Sequence, residues 1–316
     1  MPSLVAEYRR QFNLDTRCFG QTNELSLLRC NCCDLEGFDP PITGDSQFYR
    51  DMSAWWNARV PGHENIEHKS TYQWAMQQMS PGDRVLEIGG GTLVIPRHLK
   101  SVSYIGLELD PNSVDAARRQ GFDVRLESVE EHAEANRGQY DIVCNFQVIE
   151  HVAAPRDFVE ACIACLRPGG LLIIACPNNR SFLALMPDNI LNMPPHHVTL
   201  WNRRTLEWIA EHWGLQIKAI VEEPLEHDQR QAFARLVWLR ALGWVWQSSE
   251  RFVLGGSRFR IASGISDALA RVTAPLLDSV ARVIPGHTIA AIYQKPAEAA
   301  RPSSRIAQGA EPASAD

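Results

Sequence analysis

Residues 85–93 read Val85-Leu86-Glu87-Ile88-Gly89-Gly90-Gly91-Thr92-Leu93, directly after the turn signal Ser80-Pro81-Gly82-Asp83. An apolar run ending around an acid and meeting three glycines is how a buried strand hands over to a helix across a tight loop that a ligand can approach. The handover marks a nucleotide-type site. Glycines alone do not specify the ligand. The reading is sharpened by a second acid, Glu108, closing the next apolar run, Tyr104–Leu107.

Working outward, residues 61–79 place Ile66, Tyr72, Trp74, Ala75, Met76 and Met79 at spacings that suit a helix packed on a sheet. After the second run, Asp110 is a suitable N-cap with Pro111 at the first helical position. Short strands are expected at 124–126 and at 140–146, the latter (YDIVCNF) apolar enough to be buried on both faces. A helix over 156–166, the turn Arg167-Pro168-Gly169-Gly170 and the strand LLIIACP at 171–177 follow. A further helix, with Leu206, Ile209, Ala210 and Trp213 on one face, ends at Gly214 and leads to a strand over 215–221. The last strand is expected at 288–295, TIAAIYQK. Strand and helix in alternation call for right-handed crossovers and a parallel sheet, with the ligand at the carboxyl ends of its strands.

Four elements in this order carry a resemblance. They are Glu87-x-Gly89-x-Gly91, the strand-ending Glu108, Glu150-His151 after the fourth strand, and Arg167-Pro168-Gly169-Gly170 before the fifth. Together they resemble the class I S-adenosylmethionine-dependent methyltransferases. The resemblance implies an α/β fold, Rossmann-like and doubly wound, with a seven-stranded sheet whose last strand is antiparallel. It divides the chain into an irregular N-terminal cap (1–60), a methyltransferase core (61–224), a helical insertion (225–286), the last core strand (287–296) and a disordered tail (297–316). S-adenosyl-L-methionine is the implied cofactor. Gly89, Gly90 and Gly91 would admit its methionyl end and sugar, and Glu108 would accept hydrogen bonds from its ribose. Glu87 would orient the loop or, through water, the ammonium. Ser128 and Val129 would flank the adenine, and Asn145 and Gln147 would face cofactor or acceptor. The third glycine of the motif is replaced by Leu93, a bulky residue expected to shift the following helix or narrow the pocket.

The implied reaction is O-methylation of a small molecule, sugar or glycolipid. A hydroxyl acceptor must lose its proton, and an imidazole with an ordinary pKa of about 6.5 is a matched base. The candidates are His151, at the end of the fourth strand, and His196 and His197, in the long loop 177–204 on the ligand side of the sheet. The chain lacks both an Asn/Asp-Pro-Pro-aromatic motif and a Pro-Cys pair, which disfavours nucleobase acceptors. A nicotinamide-dependent oxidoreductase is the rival of similar fold. GGGTL does not fit Gly-x-Gly-x-x-Gly, and the Glu-His and Arg-Pro-Gly-Gly elements stand against it. A non-catalytic cofactor-binding or scaffold protein is the third reading, prompted by Leu93 and by the N-terminal cap, whose incomplete cysteine knuckle resembles a degenerate zinc-ribbon-like segment.

Composition bounds the rest. A net charge of −6 gives no footprint for nucleic acid. With no basic segment leading an apolar core at the N-terminus, and no run of about 18 uncharged apolar residues, a cytoplasmic location is expected. The eight cysteines are then reduced thiols. Cys30 and Cys33 have the spacing of one zinc knuckle, but Cys18 lacks a partner at the right spacing, and no metal is assigned. Residues 229–262 carry six arginines (230, 235, 240, 251, 258, 260) against one acid, Glu250, interleaved with Trp and Phe. Ile265, Ala268, Leu269, Val272, Leu276, Val280 and Val283 then recur at helical spacing. Such a segment suits packing on the sheet or a homodimer face, ahead of peripheral membrane contact through 229–283.

Overall fold

The computed structural model describes residues 2–14, 16–20, 22, 24–59, 69–185, 189–245 and 257–297. The expectations for residues 61–68, for Trp246, Arg251 and Phe252, and for the tail beyond 297 lie outside the described residues. The strands are β1 (Ser26–Arg29), β2 (Glu36–Asp39), β3 (Arg84–Ile88), β4 (Ser103–Glu108), β5 (Val124–Leu126), β6 (Tyr140–Phe146), β7 (Leu166–Pro177), β8 (Thr199–Leu200), β9 (Gln216–Pro224) and β10 (Pro285–Gln294). The helices are α1 (Pro2–Phe12), α2 (Ser46–Arg59), α3 (Ser70–Met76), α4 (Val94–His98), α5 (Pro111–Arg119), α6 (Val129–Ala135), α7 (Pro155–Cys165), α8 (Arg203–Trp213), α9 (His227–Val245) and α10 (Ser257–Thr273).

Seven strands form the main sheet in the order β5-β4-β3-β6-β7-β10-β9. The strands from β5 to β7 pair in parallel, whereas β10 runs antiparallel to both β7 and β9. The order reverses at β3, so the crevice between β3 and β6 is the place where such a sheet takes a ligand. The continuous apolar run of β6 is explained by burial on both sides. Val143 lies in the cluster with Val159 and Cys162 of α7, while Ile142 and Cys144 lie in the opposite cluster with Tyr72 of α3 and Ile95 of α4. Cys162 and Cys165 are packing residues of the first cluster. Arg167–Gly170 falls inside β7 rather than before it, at a register irregularity where Gly169 takes φ 79°.

The N-terminal segment has more regular structure than its sequence suggests. Tyr8, Phe12, Phe19, Phe48 and Met52 form a small core of their own, completed by Ile190 from the distant loop. The Tyr8 hydroxyl donates to the carbonyls of Ile190 and Met193, at 2.6 and 3.0 Å. The hairpin β1–β2 is extended by β8, so the cap and the loop 177–204 share a three-stranded sheet.

Between β9 and β10 the described residues form α9 and α10, and the aliphatic stripe is not the face that packs inward. α10 buries Ala262, Ser266 and Ala270, small residues four apart that let it lie close to α9. The larger aliphatic stripe is outside: Ile265 and Val280 are exposed, Val272 and Leu276 are each 72% exposed, and Val283 82%. Two of the arginines are internally paired, Arg230 with Asp278 and Arg235 with Asp267 at 2.7 Å.

Candidate active site

The glycine loop runs from the end of β3 into α4 through a single 3₁₀ turn, Gly90–Thr92. Each glycine is required by a neighbour. Gly89 is left-handed (φ 76°), and a Cβ there would come within 2.5 Å of Val148. A Cβ at Gly90 would meet the Tyr104 hydroxyl at 2.5 Å, and one at Gly91 would meet Glu108 Oε2 at 2.9 Å. Leu93 holds the left-handed conformation that a glycine would adopt at the motif's third position (φ 57°). Its side chain is buried with Val114, Ala117 and Val124, so the residue that departs from the motif anchors the loop to α5 and β5.

Below the loop, Glu87 is buried and accepts a hydrogen bond from Tyr104 at 2.7 Å, while its Oε1 has no partner. Burial pushes its pKa up to about 7, with Tyr104 opposing and Glu108 adding to the rise. Glu87 thus underpins the glycine loop. Tyr104 went unnoticed in the sequence, where a tyrosine in an apolar strand reads as core. Glu108 lies at the open end of β4. Its carboxylate accepts from the backbone N–H groups of Leu109 and Asp110, at 2.8 and 3.2 Å, and of Gly91. Burial raises its pKa and these donors offset part of the rise. Asp110 caps α5 and receives Arg50 of α2 at 2.8 Å, which ties the N-terminal cap to this end of the sheet.

Asn145, the last residue but one of β6, pairs with Ile88 and is fully buried, with neither amide atom hydrogen-bonded. A buried orphaned amide is costly, which makes Asn145 a candidate for contact with a ligand at the glycine loop. Gln147 is left-handed (φ 56°) and held by its N–H to the Ala175 carbonyl at 2.8 Å. Ser128 forms a capping box with Glu131 at the start of α6 and stays partly exposed, whereas the Val129 side chain is closed into the main core.

The three histidines converge although 45 residues separate His151 from His196. His196 and His197 stack at 4.4 Å between centroids, and His151 stands edge-on to them at 4.9 and 5.0 Å. His151 Nδ1 bonds to the His196 carbonyl, His196 Nδ1 to the Leu191 carbonyl at 2.8 Å, and His197 Nδ1 to Asn192 Oδ1 at 2.9 Å. Tyr49 of α2 brings its hydroxyl to 3.4 Å from His151 Nδ1 and also bonds the Pro195 carbonyl at 3.3 Å. Burial lowers all three imidazole pKa values, that of His151 to about 3, so the cluster is uncharged at neutral pH. The ordinary imidazole basicity expected from sequence does not hold here. Glu150, next in chain, is 1% exposed with neither carboxylate oxygen bonded, and burial raises its pKa to about 8. Val148, packed over Gly89, joins this cluster to the glycine loop across one 3₁₀ turn, Ile149–His151.

A methyltransferase-domain family model matches residues 73–220. A ubiquinone biosynthesis O-methyltransferase of Pectobacterium atrosepticum is 30% identical over 165 residues, covering 48% of this chain and 68% of that relative. The chain belongs to the S-adenosylmethionine-dependent methyltransferases. A ubiquinone biosynthesis O-methyltransferase of Erwinia tasmaniensis is 29% identical over 188 residues, covering 52% of this methyltransferase and 76% of that one. The crystal structure of a SAM-dependent methyltransferase from Archaeoglobus fulgidus shares the fold, with a TM-score of 0.51 at 15% identity over 77% of this chain and 99% of that one.

S-adenosylmethionine is accordingly the cofactor of this methyltransferase, and the residues fit it. A Cβ at Gly89, Gly90 or Gly91 would collide with Val148, Tyr104 or Glu108, so the loop after β3 offers bare backbone to the cofactor's polar groups. Glu108 offers a carboxylate at the open end of β4, and Asn145 an unpaired amide at that of β6, for a polar and zwitterionic molecule. When bound, the cofactor's sulfonium supplies an electrophilic methyl group. Among the described residues no helix is long and apolar enough to cross a membrane.

Proposed function

We propose that this methyltransferase transfers the methyl group to a hydroxyl oxygen of a small molecule. The supporting observation is the uncharged cluster of His151, His196 and His197 beside the glycine loop, rimmed by Tyr49. Transfer requires the acceptor oxygen in line with the methyl, so holding the acceptor carries much of the rate. In this reading Gly89–Gly91, Glu108 and Asn145 hold the cofactor, with Gln147 between it and the acceptor. The neutral histidines position the acceptor hydroxyl by hydrogen bonding, and Tyr49 closes the acceptor side. The names of the relatives, O-methyltransferases of ubiquinone biosynthesis, support an oxygen acceptor. The acceptor class extends to sugars and glycolipids.

The test is incubation with methyl-labelled cofactor and panels of phenols, sugars, glycolipids and amines. Label held in base-stable ethers is expected. Label confined to amines, or released by base as methanol, refutes the oxygen-ether reading. We also assign the outward stripe Val272, Leu276 and Val283 to peripheral contact with a lipid surface, and the proposed location is cytoplasmic. Because the stripe is apolar and two arginines are already paired, flotation with neutral vesicles should survive high salt. A dimer that hides the stripe in sedimentation would refute the lipid contact.

A further inference from the structure

The three histidines have a property that neither acceptor binding nor packing explains. One ring nitrogen of each lies within 4.8 Å of those of the other two. In each ring Nδ1 lies against an oxygen that can only accept: the carbonyls of His196 and Leu191, and the amide oxygen of Asn192. That partner makes Nδ1 the N–H-bearing nitrogen and leaves the lone pair on Nε2. Three neutral imidazoles with their second nitrogens tethered to oxygens are how proteins orient ligands toward a metal, fixing both tautomer and ring plane.

A carboxylate completes the electrostatics. Glu150 is buried with no hydrogen-bond partner, and its Oε1 lies 3.8 Å from His151 Nε2, on the side of the ring that carries the lone pair. A buried unpaired carboxyl beside three uncharged rings is unfavourable by itself and becomes favourable beside a cation. The ligand chemistry selects the ion. Imidazole suits zinc and its transition-metal neighbours, whereas magnesium and calcium take oxygen.

We propose that His151, His196 and His197 form a binding site for one divalent ion of the zinc class. The three imidazoles are its protein ligands, and Glu150 offsets its charge. Three histidines leave a tetrahedral ion one open position, as in catalytic rather than structural zinc sites. An oxygen bound there would be acidified, which answers the weakness of three depressed imidazoles as bases. The ion site itself stands on the ring geometry, whichever acceptor the enzyme uses. It replaces the expectation from sequence that no metal is held, which weighed only the cysteines.

The experiment uses the full-length protein, stripped with chelator and titrated with zinc chloride. One equivalent should bind. X-ray absorption of the zinc-loaded wild type should show nitrogen or oxygen neighbours at about 2.0–2.1 Å and no sulfur shell near about 2.3 Å. His196→Ala and His197→Ala should each weaken binding at least tenfold, while the double variant Cys30→Ser, Cys33→Ser should bind as wild type does. A sulfur shell, loss of zinc in the cysteine variant, or no binding by the wild type overturns the proposal. Because the absorption measurement is made on the wild type, it decides even if the histidine variants fail to fold.

Discussion

Glu150→Gln isolates the energetic cost of one buried, unpartnered carboxyl. In the folded protein its pKa is raised by burial from 4.5 to about 8. A group raised in the folded state contributes fully below its unfolded value, and that contribution is lost as pH climbs through the folded value. Wild-type stability should therefore decline between about pH 4.5 and pH 8 on account of this residue. At about 1.4 kcal/mol per tenfold change in acidity, the ceiling on the loss is about 5 kcal/mol; local relaxation and water entry reduce it to about 2–4 kcal/mol. Glutamine keeps the shape and stays neutral throughout. At about 2 °C per kcal/mol for a chain of this length, the melting temperature of the variant should gain roughly 4–8 °C on that of the wild type between pH 5 and pH 9. Differential scanning fluorimetry in chelator, across that range, is the assay. Parallel curves for the two proteins would show that the carboxyl is solvated or paired in solution and would refute the reasoning.

Glu108→Ala should weaken S-adenosylmethionine binding at least tenfold by calorimetry, and an unchanged dissociation constant would remove Glu108 from the cofactor site. Gly90→Ala places a methyl within 2.5 Å of the Tyr104 hydroxyl; it should lose about 1–3 kcal/mol of stability by urea denaturation. Tyr104→Phe should recover part of that loss, and strict additivity of the two changes would show that the clash is elsewhere. His151 has its pKa lowered to about 3, so its neutral form supports folding above about 6.5 and the support is lost as pH falls toward 3. Metal-free wild type should therefore destabilise between pH 7 and pH 5 more steeply than His151→Asn, and identical slopes would count against a buried ring.

The parts of the fold that follow a short local rule were legible in the sequence. The apolar runs of β3, β4 and β6, the Asp110-Pro111 cap and the glycine loop each state their structure within a few residues. The departure at Leu93 was visible, but its resolution was not. Whether a leucine tolerates a left-handed backbone depends on the pocket of Val114, Ala117 and Val124, which the tertiary fold assembles. The same holds for the histidine cluster. His151 and the pair His196-His197 were each singled out, and the aromatic patch with Tyr49 reads as a packing surface over the site, yet nothing local says that the three rings meet or that Tyr49 reaches His151. The insertion was legible only as a set of alternatives, because an aliphatic stripe at helical period suits a core face, a dimer face and a lipid surface alike. Only the contact with α9 shows that the small residues Ala262, Ser266 and Ala270 form the inner face. The capping box of Ser128 and Glu131 follows the same kind of short local rule, while the burial of Val129 beside it depends on the packed core.

The joining of the N-terminal cap to residues 190–200 has a consequence for how the protein is made. The aromatic cluster of α1 and α2 is completed by Ile190, Tyr8 bonds the carbonyls of Ile190 and Met193, and β2 finds its second neighbour only in Thr199–Leu200. On the ribosome these first residues emerge long before the partners that cover them. At about 5–20 residues per second, the cap waits on the order of ten seconds or more with its aromatic side chains unsheltered. Translation speed between the two segments, and chaperones that hold aromatic-rich nascent chains, therefore bear on the yield of folded enzyme. Synonymous codon changes that slow synthesis between residues 60 and 190 should lower that yield while leaving the purified protein unaltered.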